Sequence, residues 1–358
     1  MPLVDNENQL HDSKLTDQFN QHFSGGNKGN LVDSNGNFWY VCQDDEFSKL
    51  LSFLESNIGL PLGRVFHNSA ADTFELILTS LNRVNFGLFA RRNRNRMILE
   101  MWETFGWGSF DIKNNKINTN FNATCITGFY LATIEYYNQS RYKIQWRQIS
   151  ETLITCELNQ LDRSLNAPMD VPHMPWMNAS LKTREANEIL IERKAHGWSI
   201  DGKQSFVLPC NMVNRIIYNT GGYSDNINKV IDEYWLLEGI EQRLHSAIKA
   251  MLQSCKELLL ASDVYVFLND ANNWDAIIKT HLEPYGLGSV RFDRSTNTAD
   301  YFVFDLTPNA ILSIGKISGL WERANGRQSV CFVKMTDKQF TVSIQSRLDY
   351  NHSYGKEH

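Results

Sequence analysis

A chain of 358 residues, 42% hydrophobic and 12% aromatic, can bury one large core or two of ordinary size, which excludes disorder as its main state. Lys and Arg number 35 against 40 Asp and Glu, a net charge of −5, so no nucleic-acid partner is expected and any anionic partner must be met by a local patch. No apolar run approaches the ~18 residues a membrane helix needs, and the polar start MPLVDNENQLHDSK is unlike a signal peptide, so a cytoplasmic protein is expected. The six cysteines are dispersed without a CxxC pair, which argues against a zinc ribbon or a disulfide framework.

Residues 1–30 are polar and read as a loose N-terminal segment. The segment DSNGNFWYVC, Asp33 to Cys42, then aligns without gaps with DGKQSFVLPC, Asp201 to Cys210, so one unit occurs twice. His67 follows in GRVFHNSAAD. Arg91, Arg92, Arg94 and Arg96 come next, with Phe86 and Phe89 upstream. Met97, Ile98, Met101, Trp102 and Phe105 recur on one helical face, and Ile277, Ile278, His281, Leu282 and Tyr285 hold the equivalent places. Each helix runs into Gly-x-Gly, Gly106 to Gly108 and Gly286 to Gly288, where a glycine ends the helix in the left-handed conformation.

Alternation predicts strands over 109–112 and 117–121 around a turn at Asn114-Asn115, and in the second copy Val290, Phe292 and Tyr301 to Phe304 repeat this around Thr296-Asn297. Helices are predicted over 123–137 and 309–324, the second preceded by Pro308. Each copy closes with paired strands, 142–147 with 153–158 and 330–333 with 340–344. The expected class is α+β, two similar units each made of a mainly antiparallel sheet packed with helices. The first spans 31–158. Pro168, Pro172 and Pro175 mark 159–182 as a stiff linker, and the second unit covers 183–350, opening with a short helix over 183–194; the last eight residues read as loose.

The residues that carry chemistry are few. Trp102 and Trp107 flank a helix end and could wall a flat aromatic ligand, although large aromatics are usually core. Four arginines in six residues suit an anionic lipid head group, a phosphate or propionate, or an acidic protein surface, and the second copy has no such run. His67 lacks a positioned partner in sequence, His281 sits on an apolar helix face, and Cys125 and Cys156 fall where thiols pack as small hydrophobes. There is no Walker loop, GxGxxG, GxSxG or HExxH, and no carboxylate pair stands out. Catalysis is therefore not indicated.

The landmarks GNLVDSNG near Gly29, FSKLLSFLESNIGLPLGRVFHNSA from Phe47, FGWGSFDI from Phe105 and TCITGFYLATIE resemble the 4-vinyl reductase domain family, in particular cyanobacterial members encoded with photosystem II assembly factors. The likeness covers 31–158 well and 200–346 more faintly. Many members close with E-x-x-C-x-x-x-G-D-x-x-C-x-F; here IQWRQISETLITCEL and VCFVKMTDKQFTVSI keep neither cysteine pair, which argues against a metal or redox role for that hairpin. The resemblance implies a fold like that of transport-particle subunits and haem-nitric-oxide-binding domains, with a pocket for an apolar or tetrapyrrole-like ligand between helices and sheet. In this sequence that pocket falls to His67, Trp102, Trp107, Cys125 and Trp146. It implies binding more than catalysis, a tetrapyrrole as the candidate cofactor, photosystem subunits as candidate protein partners, and the four arginines as a contact to a partner or to an anionic thylakoid surface. A tetrapyrrole carrier or enzyme and a cytoplasmic small-molecule sensor are the alternatives.

Overall fold

A computed structural model describes residues 12–26, 29–80, 90–165, 168–177, 184–185, 189–226, 229–268 and 273–347. The first described element corrects an expectation: part of the segment read as loose is helix α1 (Ser13–His22) leading into strand β1 (Phe23–Gly26). Asp12 caps α1 by accepting from the Leu15 N–H at 2.9 Å, and Leu15, Phe19 and Phe23, spaced four apart, are all buried.

The first half continues with β2 (Asn30–Asp33), β3 (Phe38–Gln43), α2 (Asp44–Ile58), α3 (Gly63–Ser80), α4 (Ala90–Thr104), β4 (Ser109–Asp111), β5 (Lys116–Asn118), α5 (Ala123–Asn138), β6 (Ser140–Gln148) and β7 (Leu153–Ser164). The second begins with β8 (Arg184–Glu185) and β9 (Glu192–Lys194), so among the described residues of 183–194 strands stand where a short helix is expected. Its apolar run is used in extended form: Ile191 is buried, and Glu192 and Arg193 pair with the next strand. Then follow β10 (Gly197–Ile200), β11 (Lys203–Pro209), α6 (Cys210–Thr220), α7 (Lys229–Tyr234), β12 (Trp235–Glu238), α8 (Gln242–Leu260), α9 (Trp274–His281), β13 (Val290–Ser295), β14 (Ala299–Asp305), α10 (Ala310–Asn325), β15 (Ser329–Met335) and β16 (Gln339–Ser346).

The α+β class expected from the sequence is the one adopted, with sheets that are mainly antiparallel and packed with helices. From β2 onward in the first half, and from β10 onward in the second with α7 and β12 set aside, the order of the two halves is the same: hairpin, helix, helix, helix, hairpin, helix, hairpin. Their small sheets have the same order, β4-β5-β7-β6 and β13-β14-β16-β15, the second extended by β12 beside β15. The second half thus carries α7 and β12 in addition to this shared order. Gly128 in α5 and Gly315 in α10 each occupy the sixth helical position and allow close crossings: an added Cβ would lie 2.3 Å from the His67 carbonyl oxygen and 2.5 Å from Cys255 Cβ.

The halves do not stand apart. A seven-stranded sheet, β8-β1-β2-β3-β11-β10-β9, joins them through antiparallel pairing of β3 with β11. The helix after each hairpin packs on the other half: α2 lies on α8, where Asn57 Nδ2 donates to Ser254 Oγ at 2.9 Å and Glu257 Oε2 at 3.0 Å, and α6 lies on α3. The segment read as a stiff linker is likewise held, since Met174 and Trp176 are buried and the Trp176 indole N–H donates to Asn214 Oδ1 at 3.1 Å. One continuous hydrophobic core runs through both halves instead of one core in each unit.

Candidate functional site

Trp102 and Trp107 are core residues. Trp107 stacks on Phe129, with centroids 4.0 Å apart and planes 8° apart, and meets the edges of Phe74 and Trp102 at 5.0 and 5.8 Å. The left-handed turn at Gly106, φ +77°, brings this cluster against the hairpin of the second half: an added Cβ would lie 2.8 Å from both the Ser205 carbonyl oxygen and the Trp198 ring. The Trp198 indole N–H donates to the Thr104 carbonyl at 3.0 Å. Gly286, φ +75°, sits reciprocally against Trp39 and Leu31 of the first hairpin. The indoles therefore form a socket for the opposite half, where a flat ligand was expected to stack.

His67, on α3, is half-buried; its Nδ1 lies 3.2 Å from Thr127 Oγ1 on α5, and burial holds its pKa below the ordinary value. It is an interhelical contact. Cys125 and Cys156 are buried free thiols, and burial pushes both up, so neither is a thiolate at neutral pH. Trp146 stands elsewhere, 39% exposed on β6 opposite Cys156. Among the described residues no group of His, Cys, Asp or Glu has the arrangement of a metal site. His67, Trp102, Trp107, Cys125 and Trp146 are spread over the aromatic socket, the α3–α5 contact and a sheet edge, and none lines the clefts described below.

The arginine cluster starts α4. Arg92 and Arg96 are exposed, Arg96 lying 3.7 Å from Glu100, whereas Arg94 is half-buried with its guanidinium 5.3 Å above the Tyr136 ring. The side chain of Arg91, and Phe86 and Phe89, lie outside the described residues. One turn beyond Arg92 and Arg96 on the same stripe, Asn95 and Leu99 enter a cleft of about 320 Å³ between α4, β4 and α5. Its floor is Ile98, Phe110 and Ile112, Tyr137 closes one side, and Lys113 stands at the rim. Leu99 is 44% exposed, and Asn95 Oδ1 is buried with no hydrogen-bond partner among the described residues. Asp111, also at the rim, is occupied by the β4–β5 turn; its hydrogen bonds from Asn114, then Lys113, hold its carboxyl below the usual range. The periodicity of α4 missed this cleft, although Leu99 signals it as an apolar residue off the buried face.

Two lysines sit in further cavities, Lys256 buried and Lys316 half-buried. Lys256 pairs with Glu322 at 3.0 Å beside the rings of Tyr234 and Trp235, next to a polar cavity of about 260 Å³. Lys316 lies 3.8 Å from Glu46 in a small cavity where His281 and Tyr285 also sit. Burial opposes its charge, but the net effect of Glu46 and the other acidic groups around it is to raise its pKa. Each lysine thus has a carboxylate beside it, which for the buried Lys256 offsets the loss of hydration.

Comparison with known proteins returns no match: no family model fits the chain, and no curated sequence or solved structure is significantly similar to it.

Proposed function

We propose that this is a non-catalytic ligand-handling or assembly protein of the kind implied by the 4-vinyl reductase resemblance, whose ligand site is the cleft between α4, β4 and α5. The observation that carries this reading is an apolar cleft lined by Ile98, Leu99, Phe110 and Ile112, whose α4 residues Asn95 and Leu99 follow the exposed Arg92 and Arg96 by one helical turn. A cleft of this size is at the lower end of small-molecule sites, which are mostly apolar with a few polar groups that fix orientation. The matching ligand has an apolar body and an anionic group. A tetrapyrrole propionate edge is one such ligand, and through it the resemblance links the protein to chlorophyll-protein or photosystem assembly.

The test is absorbance titration with protoporphyrin IX of the intact chain and of variants Arg92→Gln/Arg96→Gln and Leu99→Gln. The reading expects saturable binding weakened at least about tenfold in both variants, as loss of two charge-assisted contacts or of an apolar wall dictates. Binding that both variants leave unchanged removes the cleft from the argument. A second reading rests on Leu99 standing exposed beside the arginines, a basic-apolar surface suited to anionic head groups. Sedimentation with phosphatidylglycerol vesicles, weakened by the same variants while the porphyrin does not bind, favours it. No described helix is long and apolar enough to cross a membrane.

A further inference from the structure

The two small sheets differ at one edge. In the second half the outer edge of β15 is covered by β12, which runs parallel to it and pairs Trp235 with Cys331, Leu236 with Phe332, Leu237 with Val333 and Glu238 with Lys334. In the first half the corresponding strand is β6, and among the described residues nothing pairs with its outer edge. The chain itself therefore shows what covers such an edge.

Sheet register fixes which residues correspond. Phe110 pairs with Ile117 and Ile117 with Ile154; Val290 pairs with Phe304 and Phe304 with Phe340. Counting across the closing hairpins then sets Ile144 on Cys331, Trp146 on Val333 and Arg147 on Lys334. Val333 is 1% exposed where Trp146 is 39% exposed. Lys334 is paired with Glu238 at 2.6 Å, and the matching Arg147 stands exposed.

We propose that β6 is a docking edge for an extended segment of a partner protein, added parallel to β6 with the pattern apolar-x-apolar-acidic, as Trp235 to Glu238 supplies in the second half. This inference does not depend on the cleft between α4, β4 and α5. Main-chain hydrogen bonds supply affinity in such strand addition, and alternate side chains supply selectivity. The apolar positions cover Ile144 and Trp146, and the acidic one meets Arg147. A second copy of this chain is disfavoured, because antiparallel pairing of β6 with itself brings the cations Lys143 and Arg147 of the two copies together.

The probe is a synthetic peptide with the sequence of residues 233–240, added to the full chain, with amide hydrogen exchange read over β6 and affinity by calorimetry. In the chain alone the outward amides of β6 exchange fast, and the peptide protects them. Arg147→Glu weakens binding about three- to tenfold, the scale of one cross-strand charge pair turned repulsive. Replacing the peptide's residue equivalent to Glu238 with lysine restores binding to that variant. Four results overturn the proposal: slow exchange of β6 in the chain alone at every concentration, which means another segment of the chain covers it; protection that grows with protein concentration, which means self-association; no protection by the peptide; or peptide affinity indifferent to Arg147→Glu.

Discussion

The indole N–H of Trp107 donates to the carbonyl of Val207 at 2.9 Å, and the Val207 N–H donates back to the Phe105 carbonyl at 2.9 Å. These bonds tie the turn after α4 to a strand of the opposite half. The reverse contact is made where Leu287 bridges to Asn30 and the Gly288 N–H donates to the Gly29 carbonyl. Each half thus grips the other's hairpin, with an indole at one grip and a leucine at the other.

Trp107→Ala should cost about 3 to 5 kcal/mol, the range for deleting a large buried aromatic, with the Val207 carbonyl also losing its donor. Urea midpoints at unchanged slope check this. A loss below about 1 kcal/mol would mean that the socket is not filled as described.

Gly106→Ala should be more damaging than Gly36→Ala. Both glycines have positive φ, but a Cβ at position 36 meets nothing within 4 Å, whereas at position 106 it meets backbone and indole at 2.8 Å. Strain of the left-handed conformation, about 1 kcal/mol, is common to both, so the difference in thermal midpoint isolates the contact between halves. Equal shifts contradict the interlock.

Asp44, in the first turn of α2, has its carboxyl raised from 3.8 to about 6, by burial first and by the neighbouring charge of Asp45 second. The folded state therefore keeps this proton to higher pH than the unfolded chain, and the group's contribution to stability falls as pH rises from about 4 to about 6. Asp44→Asn should remove that part of the slope and gain most above pH 6. Paired denaturation curves across pH 4 to 7 give the difference; parallel profiles for the two proteins refute the assignment.

Arg92→Gln and Arg96→Gln should each leave stability within about 0.5 kcal/mol, as exposed charges do. Arg94→Gln should cost more, about 0.5 to 1 kcal/mol, because its guanidinium lies over Tyr136. Chemical denaturation of the three variants ranks them, and a uniform effect removes the distinction between the two faces of α4.

The elements that were legible in the sequence are those whose cause is local. The helices predicted over 123–137 and 309–324 run Ala123–Asn138 and Ala310–Asn325, because their apolar positions and the glycine landmarks of the copies are written in neighbouring residues. The run around Ile189 to Ile191 reads as helix because the partner that decides its conformation is distant in sequence: the Ile191 N–H donates to Thr16 Oγ1 at 3.2 Å and the Ile191 carbonyl accepts from the Asp12 N–H at 2.9 Å. The spacing of Leu15, Phe19 and Phe23 did announce α1, but a polar average concealed it. Of the candidate site, the arginines were visible as a run; their division between solvent and the Tyr136 ring depends on how α4 rolls on α5, which periodicity does not set. The exchange of hairpins left no trace in sequence at all, since either half could have paired with itself.

Pairing of β3 with β11 sets Cys42 opposite Phe206, so the first hairpin finds its permanent neighbour only when the ribosome has made more than half of the chain. A nascent first half carries an unpaired β3 edge and an α2 whose buried face awaits α8. Folding is consequently a late, whole-chain event of high contact order, slower than its many helices would set and exposed to chaperone capture during synthesis. Two such chains emerging from one polysome each offer a hairpin that fits the other, which makes interchain exchange the natural misassembly of this fold.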